Sequence, residues 1–372
     1  MTTPVQRVVV TWLSTDLGGA ERSSFELCEL LKTRYSIHVV LILWHVSGPD
    51  VSAIITETSV QVVRCYSHLE YIRELCAALA LDQSATVLFS NNRTYQIDLS
   101  IAGARCVKSA VIFRLPPLNE KAFRTIPSPT ATQLLEAYGP ELNWEILSSA
   151  HAIVGISDYV AGQIRKFAPE HPRIRRIYVA PRMGITSVKR RIVRKFLVVS
   201  RLAWSKTVDF AIDAFGHLIA DCPDAQLWIA GHGPELEKLL QQVTRLKVSE
   251  NIRFLGYKDD IGTIYQEADC LLHVCGHEAF GRVVVEAANC GLLRVVSQSG
   301  GAGELVTNEM TGLTFRPNDV LDCVRALKCA YNLKLDSFER ICVAAQRETR
   351  ANSSPDRIAD AYHLLATEIL SD

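Results

Sequence analysis

The sequence has no Cys-x-x-Cys pair, no Asp-x-Asp, no Gly-x-Gly-x-x-Gly and no long apolar run, and each absence closes off a class of function. Its eleven cysteines (28, 65, 76, 106, 222, 270, 275, 290, 323, 329 and 342) are scattered and odd in number. Several, such as Cys270 and Cys290, sit inside apolar runs, so they read as buried thiols in a reducing compartment rather than a disulfide framework. No His/Cys cluster stands at ligand spacing, so no metal is expected. The turn after the first strand candidate reads STDLGGAERSS, which lacks the glycine pattern a nicotinamide dehydrogenase needs there. Charge of neither sign dominates: Lys plus Arg and Asp plus Glu are 40 each, which removes any global attraction to nucleic acid or membrane. No stretch approaches the ~18 apolar residues of a spanning helix. VVVTWL at 8–13 is too short for the core of a signal peptide. A soluble, cytoplasmic protein is expected.

The 372 residues are 48% hydrophobic and 22% charged, a globular composition with length for two domains. Short β-branched runs alternate with helix-period segments, the pattern of a parallel α/β architecture. In the first half the strand candidates lie at 8–13, 37–43, 60–65, 86–90, 109–114, 151–157 and 176–181, with helices that include 20–32 and 70–81. The second half repeats the scheme, with strands at 196–201, 226–231, 252–256, 270–274 and 293–297 and helices near 207–220, 234–246, 281–290 and 320–332. The expected architecture is a Rossmann-like domain over 1–185, a linker over 186–195, a second Rossmann-like domain over 196–350, and a helix over 351–372 returning to the first domain. Both domains would be doubly wound, with strand C-termini facing a ligand cleft. PPLNEK and TIPSPT, within 116–130, mark a long excursion suited to substrate-specific loops.

HEAFGRVVVEAANCG (277–291) poses the main chemical question. A helix apolar on every side is normally buried, and a buried carboxylate without a partner is costly. Glu286, in the middle of that run, therefore has a protein partner or is kept for a ligand. Glu278 stands eight residues before it, at the edge of the run. Gly18-Gly19 opens a helix and suits a backbone approaching an anion, although a tight structural turn explains the pair equally well. GHGPE (231–235) is better explained as a turn before a proline-started helix than as half a phosphate loop. Arg201 and Lys206 follow the first strand of the second half, where two cations suit a diphosphate; singly, each would be ordinary solvated surface. His273 and His277 flank the acids and read as structural.

Together, SRLAWSKTVDFAIDAF, PDAQLWIAGHGPELEKL, IRFLGYKDDIGTIYQEADCLL, HEAFGRVVVEAANCG and SGGAGELVTNEMTGLTF, in this order, resemble the retaining GT-B glycosyltransferases of the family 4 type (glycosyl transferases group 1). LGGAERSSFELCELL resembles the same family's first loop and helix. The likeness runs nearly unbroken from about 196 to 332, is thinner over 1–35 and 150–185, and is poor over 45–145. The resemblance implies a GT-B fold and transfer of a sugar from a nucleotide diphosphate donor to an acceptor hydroxyl, on a glycan, a lipid-linked glycan or a small molecule. Retention of configuration, and no metal or other cofactor, come with it. It implies that Glu286 binds the ribose hydroxyls and Glu278 the donor sugar. Backbone amides of Ala279, Phe280, Gly281 and Arg282 would present the positive end of a helix to sugar and phosphate. Arg201 and Lys206 would neutralise the departing diphosphate, Gly18 and Gly19 would approach the same phosphates, and the base would lie by Gly256 and Tyr257.

Four positions depart from the family pattern. Thr207 stands where glycine usually follows the lysine, Leu293 where proline is usual, and Arg114 where many members place a histidine toward the donor sugar. PRMG (181–184) replaces the usual turn before the linker. Two other readings stay open: a sugar-nucleotide 2-epimerase, which shares the fold, and a non-catalytic scaffold. The glutamate pair argues against the first, and the retention of Arg201, Lys206 and both glutamates against the second. Charge balance fails in one place, 165–195, where eleven Lys and Arg face the single acid Glu170. Such runs are usually solvated; this one is also a candidate for peripheral contact with anionic lipid at the inner membrane face.

Overall fold

The computed structural model describes residues 4–13, 19–44, 59–91, 94–114, 143–181, 184–258 and 260–372. It divides into two compact units, residues 1–180 with 355–372, and residues 181–354. The excursion at 116–130 and Gly18 lie outside the described residues.

The first unit is built on a parallel sheet of seven strands: β1 (Arg7–Leu13), β2 (His38–Trp44), β3 (Gln61–Cys65), β4 (Thr86–Asn91), β5 (Lys108–Phe113), β6 (Ala152–Gly155) and β7 (Ile174–Arg176). Their order is β3-β2-β1-β4-β5-β6-β7, reversing between β1 and β4. Helices α1 (Gly19–Tyr35), α2 (His68–Leu79), α3 (Tyr95–Ala104) and α4 (Asp158–Phe167) connect them. A parallel sheet is covered on both faces, so its strands read as unbroken apolar runs; Val39 through Leu43 are all buried. The strand expected at 176–181 is instead β7, two residues earlier. Its ladder ends where the Ile177 N–H donates to the Gly155 carbonyl at 3.1 Å, so the apolar run that follows is buried without extending the strand.

A buried acid ties the reversal point of this sheet together. Asp98, on α3, is fully buried and accepts from Thr11 Oγ1 (2.6 Å), Tyr71 Oη (2.5 Å), Ser90 Oγ (2.5 Å) and Thr94 Oγ1 (2.7 Å). Burial raises its pKa, against the opposing pull of those four hydroxyls. The hydroxyls supply the solvation that burial removes, which links β1, β4, α2 and α3 at one point.

The second unit has a six-stranded parallel sheet, β8 (Lys195–Val199), β9 (Gln226–Ala230), β10 (Ile252–Gly256), β11 (Cys270–His273), β12 (Leu293–Ser297) and β13 (Leu313–Phe315), in the order β10-β9-β8-β11-β12-β13. Its helices of seven or more residues are α5 (Val208–Ile219), α6 (Leu236–Leu246), α7 (Ile261–Glu267), α8 (Arg282–Asn289), α9 (Val320–Tyr331) and α10 (Leu335–Ser353). Strand alternation sends Phe196 and Leu272 into one apolar layer and Leu197 and Leu271 into the other. The order reverses between β8 and β11, and the crevice beyond the C-terminal ends of two such strands is where doubly wound sheets bind ligands.

Helix α8 is enclosed, with Val284 through Asn289 all buried. The Asn289 carbonyl at its end accepts from Thr186 N–H at 2.9 Å and from Gln346 Nε2 of α10 at 3.0 Å. It stops at Gly291, whose φ of 73° lets the Leu292 N–H turn back to the Ala287 carbonyl at 3.0 Å. Next in the chain, Leu293 donates its N–H to the Asp269 carbonyl at 3.1 Å. The proline usual at that position has no N–H to give.

The C-terminal helix α11 (Pro355–Leu370) is part of the first unit. Asp356 and Asp360 pair with Arg34 of α1 at 2.9 and 2.6 Å, and Tyr362 meets the Phe89 ring edge-on at 5.5 Å. The basic run 165–195 is divided between the units and largely matched by acids. In the first, Arg173 pairs with Asp372 (2.5 Å), Arg175 with Glu368 (3.6 Å) and Arg176 with Asp158 (3.5 Å). In the second, Arg190 pairs with Glu339 (2.6 Å), Arg191 with Asp269 (3.5 Å) and Arg194 with Asp224 (2.7 Å). Among the described residues, no helix is long and apolar enough to cross a membrane.

Candidate functional site

The loop that leaves β8 carries Arg201 and Lys206, and the loop that leaves β11 carries Glu278; both therefore rise at the reversal point of the second sheet. The first loop is braced by GHGPE. Leu202 N–H donates to the His232 carbonyl and Glu235 N–H to the Leu202 carbonyl, both at 3.0 Å. A Cβ at Gly231 would stand 1.8 Å from the Ser200 carbonyl oxygen, so this glycine serves backbone packing. Lys206 ends a single 3₁₀ turn, Trp204–Lys206, and Thr207 follows at φ 50°, ψ 39°. That left-handed conformation is strained for a β-branched residue. Thr207 Oγ1 is also buried without a hydrogen-bond partner. The departure from glycine here has a physical cost.

The second loop is fixed by the turn SGGAG. Ser299 Oγ donates to the Gly276 carbonyl at 2.7 Å, and Gly301 N–H to the Glu278 carbonyl at 2.6 Å. At Gly300 (φ 68°) a Cβ would lie 2.8 Å from that same Glu278 oxygen. The Cys275 thiol then joins the two loops, donating to the Ser205 carbonyl at 3.2 Å.

At the centre, Lys206 Nζ donates to Glu278 Oε2 at 2.7 Å across 72 residues of sequence. His273 Nε2 lies 3.7 Å from the same oxygen. Burial works against both charges, but the Lys206 ammonium and the His273 ring together hold the Glu278 carboxyl below the usual carboxylate range. Lys206 is likewise desolvated, yet Glu278 raises it above the usual lysine value. Burial lowers the pKa of His277 in the same loop.

Glu286 is 6% exposed and has protein partners: Tyr265 Oη donates to Oε2 at 3.3 Å, and Arg282 Nη2 stands 3.7 Å from Oε1, one helical turn away. The charge in the apolar helix is thus paired within the protein. Gly281, at φ 91°, caps α8, which begins at Arg282, with Ala279 and Phe280 buried just before it. Arg201 is exposed, and its charge bears on Lys206. Tyr257 is 55% exposed beyond β10, two strands from the reversal point. Gly19 begins α1 in the first unit. Arg114 is built into that unit's interior, donating Nη1 to Ser23 Oγ at 2.6 Å and lying 5.7 Å over the Trp12 ring. Among the described residues, no group of three or more His, Cys, Asp or Glu gathers where it would hold a metal ion.

Sequence reasoning set aside His273, which the fold brings to Glu278; its one signal was its place at a strand end five residues before that acid. Cys275 gave no signal beyond its apolar setting.

The family profile described as glycosyl transferases group 1 matches residues 188–347. This segment is a glycosyl transferases group 1 domain. The chain is 33% identical over 157 residues to glycogen synthase of Mycobacterium tuberculosis, covering 42% of this chain and 38% of that protein. It is 27% identical over 177 residues to N-acetyl-alpha-D-glucosaminyl L-malate synthase of Bacillus anthracis, covering 47% of this chain and 45% of that one. The chain thus matches less than half the length of these curated relatives. The whole chain superposes on Anabaena HepE, solved in complex with UDP and glucose, with a TM-score of 0.80, 16% identity, and coverage of 98% of this chain and 100% of that one. That likeness is one of fold, the GT-B fold of two parallel-sheet α/β units, and residues 188–347 fall within the second unit.

Proposed function

We propose that the protein is a glycosyltransferase that moves a sugar from a nucleotide diphosphate donor to an acceptor hydroxyl, with retention and without a metal ion. The observation that carries the reading is the Lys206–Glu278 contact at the reversal crevice of the group 1 domain. A cation and an acid from two loops converge where a doubly wound sheet receives its ligand. Anabaena HepE, of the same fold, was solved with UDP and glucose, which agrees with a nucleotide sugar in this role.

In this reading Arg201 and Lys206 meet the diphosphate, and their effect is largest as negative charge builds on the leaving group. They occupy the role that a divalent cation plays in other transferases. Glu278 holds the sugar hydroxyls, Glu286 the ribose, and the amides of Ala279 through Arg282 the phosphate side of the sugar. Gly18 and Gly19 add backbone contacts to the phosphates, and Tyr257 lies by the base. A glycan, a lipid-linked glycan or a small molecule supplies the hydroxyl. Electrostatic docking of 165–195 on lipid is the weaker expectation, because six of its eleven basic side chains already pair with acids.

A thermal-shift screen with UDP-, GDP- and ADP-sugars tests the donor. A ligand at about 100 times its Kd adds about 2.7 kcal/mol of stability, so one nucleotide class should raise the melting temperature clearly. No shift with any of them would overturn the reading.

A further inference from the structure

His273 closes β11 with its side chain 8% exposed, on the same face of the strand as Leu271 and therefore on the side that packs against α8. Its Nε2 is 3.7 Å from Glu278 Oε2, close enough for attraction and beyond hydrogen-bond length. Its Nδ1 is buried without a hydrogen-bond partner. Lys206 holds that same carboxylate oxygen at 2.7 Å. Two side chains thus converge on one oxygen, and one of them stands slightly withdrawn.

A diphosphate in the crevice competes for Lys206. As the ammonium turns to the phosphates, the mostly buried Glu278 carboxylate loses its partner, an arrangement that is strongly unfavourable unless another group takes over. Among the described residues, the cationic or ionisable side chains facing the Glu278 carboxylate are Lys206 and His273; Cys275 also lies nearby, and Arg201 lies close to Lys206. The Cys275 thiol is committed to the Ser205 carbonyl. A ring shift of under about 1 Å brings Nε2 to hydrogen-bond length.

We infer that His273 is a positioning residue, which keeps the Glu278 carboxylate oriented toward the sugar once Lys206 is engaged by the diphosphate. The inference rests on the donor reading above.

The test is release of nucleoside diphosphate from UDP-glucose, UDP-N-acetylglucosamine, GDP-mannose and ADP-glucose by wild type, His273→Leu, His273→Gln and Glu278→Gln. A hydrogen bond to a charged group corresponds to about a ten- to hundredfold effect. His273→Leu should lower kcat by that factor and leave donor KM within about threefold, since the phosphates are held elsewhere. His273→Gln, which keeps a donor nitrogen, should recover most of the loss. If Glu278→Gln is inactive but His273→Leu keeps kcat within about twofold, or loses it only in step with a rising KM, the inference is overturned alone. If wild type releases nothing from any donor, or Glu278→Gln is fully active, the donor reading falls and the inference with it. Should His273→Leu fail to melt cooperatively, His273→Phe fills the ring volume without a donor and is judged by the same outcomes.

Discussion

Replacing Lys206 with methionine and Glu278 with glutamine, singly and together, isolates the contact on which the functional reading stands. At 2.7 Å, two unit charges attract by about 6 kcal/mol at an effective dielectric of 20. The side chains are 30% and 21% exposed, so water recovers part of that when the pair is broken. Breaking a fully buried pair costs about 3–5 kcal/mol, and an exposed pair contributes about 1 or less. This pair lies between, so each single substitution should cost about 2–3 kcal/mol. The double variant should cost about as much as one of them, because removing the second charge relieves the first. Urea unfolding at neutral pH and low salt, arranged as a double-mutant cycle, should return a coupling of about 2 kcal/mol. Effects that add within about 0.5 kcal/mol would show that the two groups are not coupled in the ligand-free protein.

Stability contributed by Glu278 is present above its unfolded value of 4.5 and lost as pH falls through its depressed folded value. That contributed by Lys206 is present below 10.5 and lost as pH rises through its raised one. The difference in unfolding free energy between wild type and the double variant should therefore be flat from about pH 5 to 10 and shrink outside that window; a step near neutrality would contradict the assignment. Thr207→Gly removes a left-handed backbone cost of about 1–2 kcal/mol and a buried hydroxyl without a partner, against about 0.4–1 kcal/mol of extra chain entropy in the unfolded state. It should raise the melting temperature by a few degrees, and a fall would show that the threonine is not strained. Glu286→Ala should weaken nucleoside diphosphate binding about ten- to a hundredfold by calorimetry with the fold retained, and unchanged affinity would sink the ribose role.

Much of the second unit was legible because parallel strands buried on both faces leave continuous apolar runs, as in FLVVSR and LRVVS. Helix α8 was legible from the apolar residues Val283 to Val285 and Ala287-Ala288 on either side of Glu286. β13 escaped notice because three residues, Leu313–Phe315, are too few to show a period. The run RIYVAP read as a strand because its residues are buried, but burial alone does not make a ladder. At the candidate site, Lys206 and Glu278 were each singled out in the sequence, but singly Lys206 read as ordinary solvated surface; their contact spans 72 residues, and no local rule predicts it. The cost at Thr207 was hidden for a different reason. Composition shows a threonine in place of glycine, but only the backbone shows the left-handed angle that makes the exchange expensive. Arg114 was legible as a departure, whereas its engagement with Ser23 and Trp12 depends on the packing of α1 and β1 against the end of β5.

The central claim is that the Lys206–Glu278 crevice breaks the bond between sugar and diphosphate. A proton NMR time course of the donor that binds most tightly, with wild type, Lys206→Met and Glu278→Gln, tests it most directly. The account predicts that wild type consumes the donor's anomeric signal and forms first a product of the same anomeric configuration, while both variants leave the donor intact for at least about ten times longer. A product epimerised at C2, or undiminished donor consumption by Glu278→Gln, would contradict it.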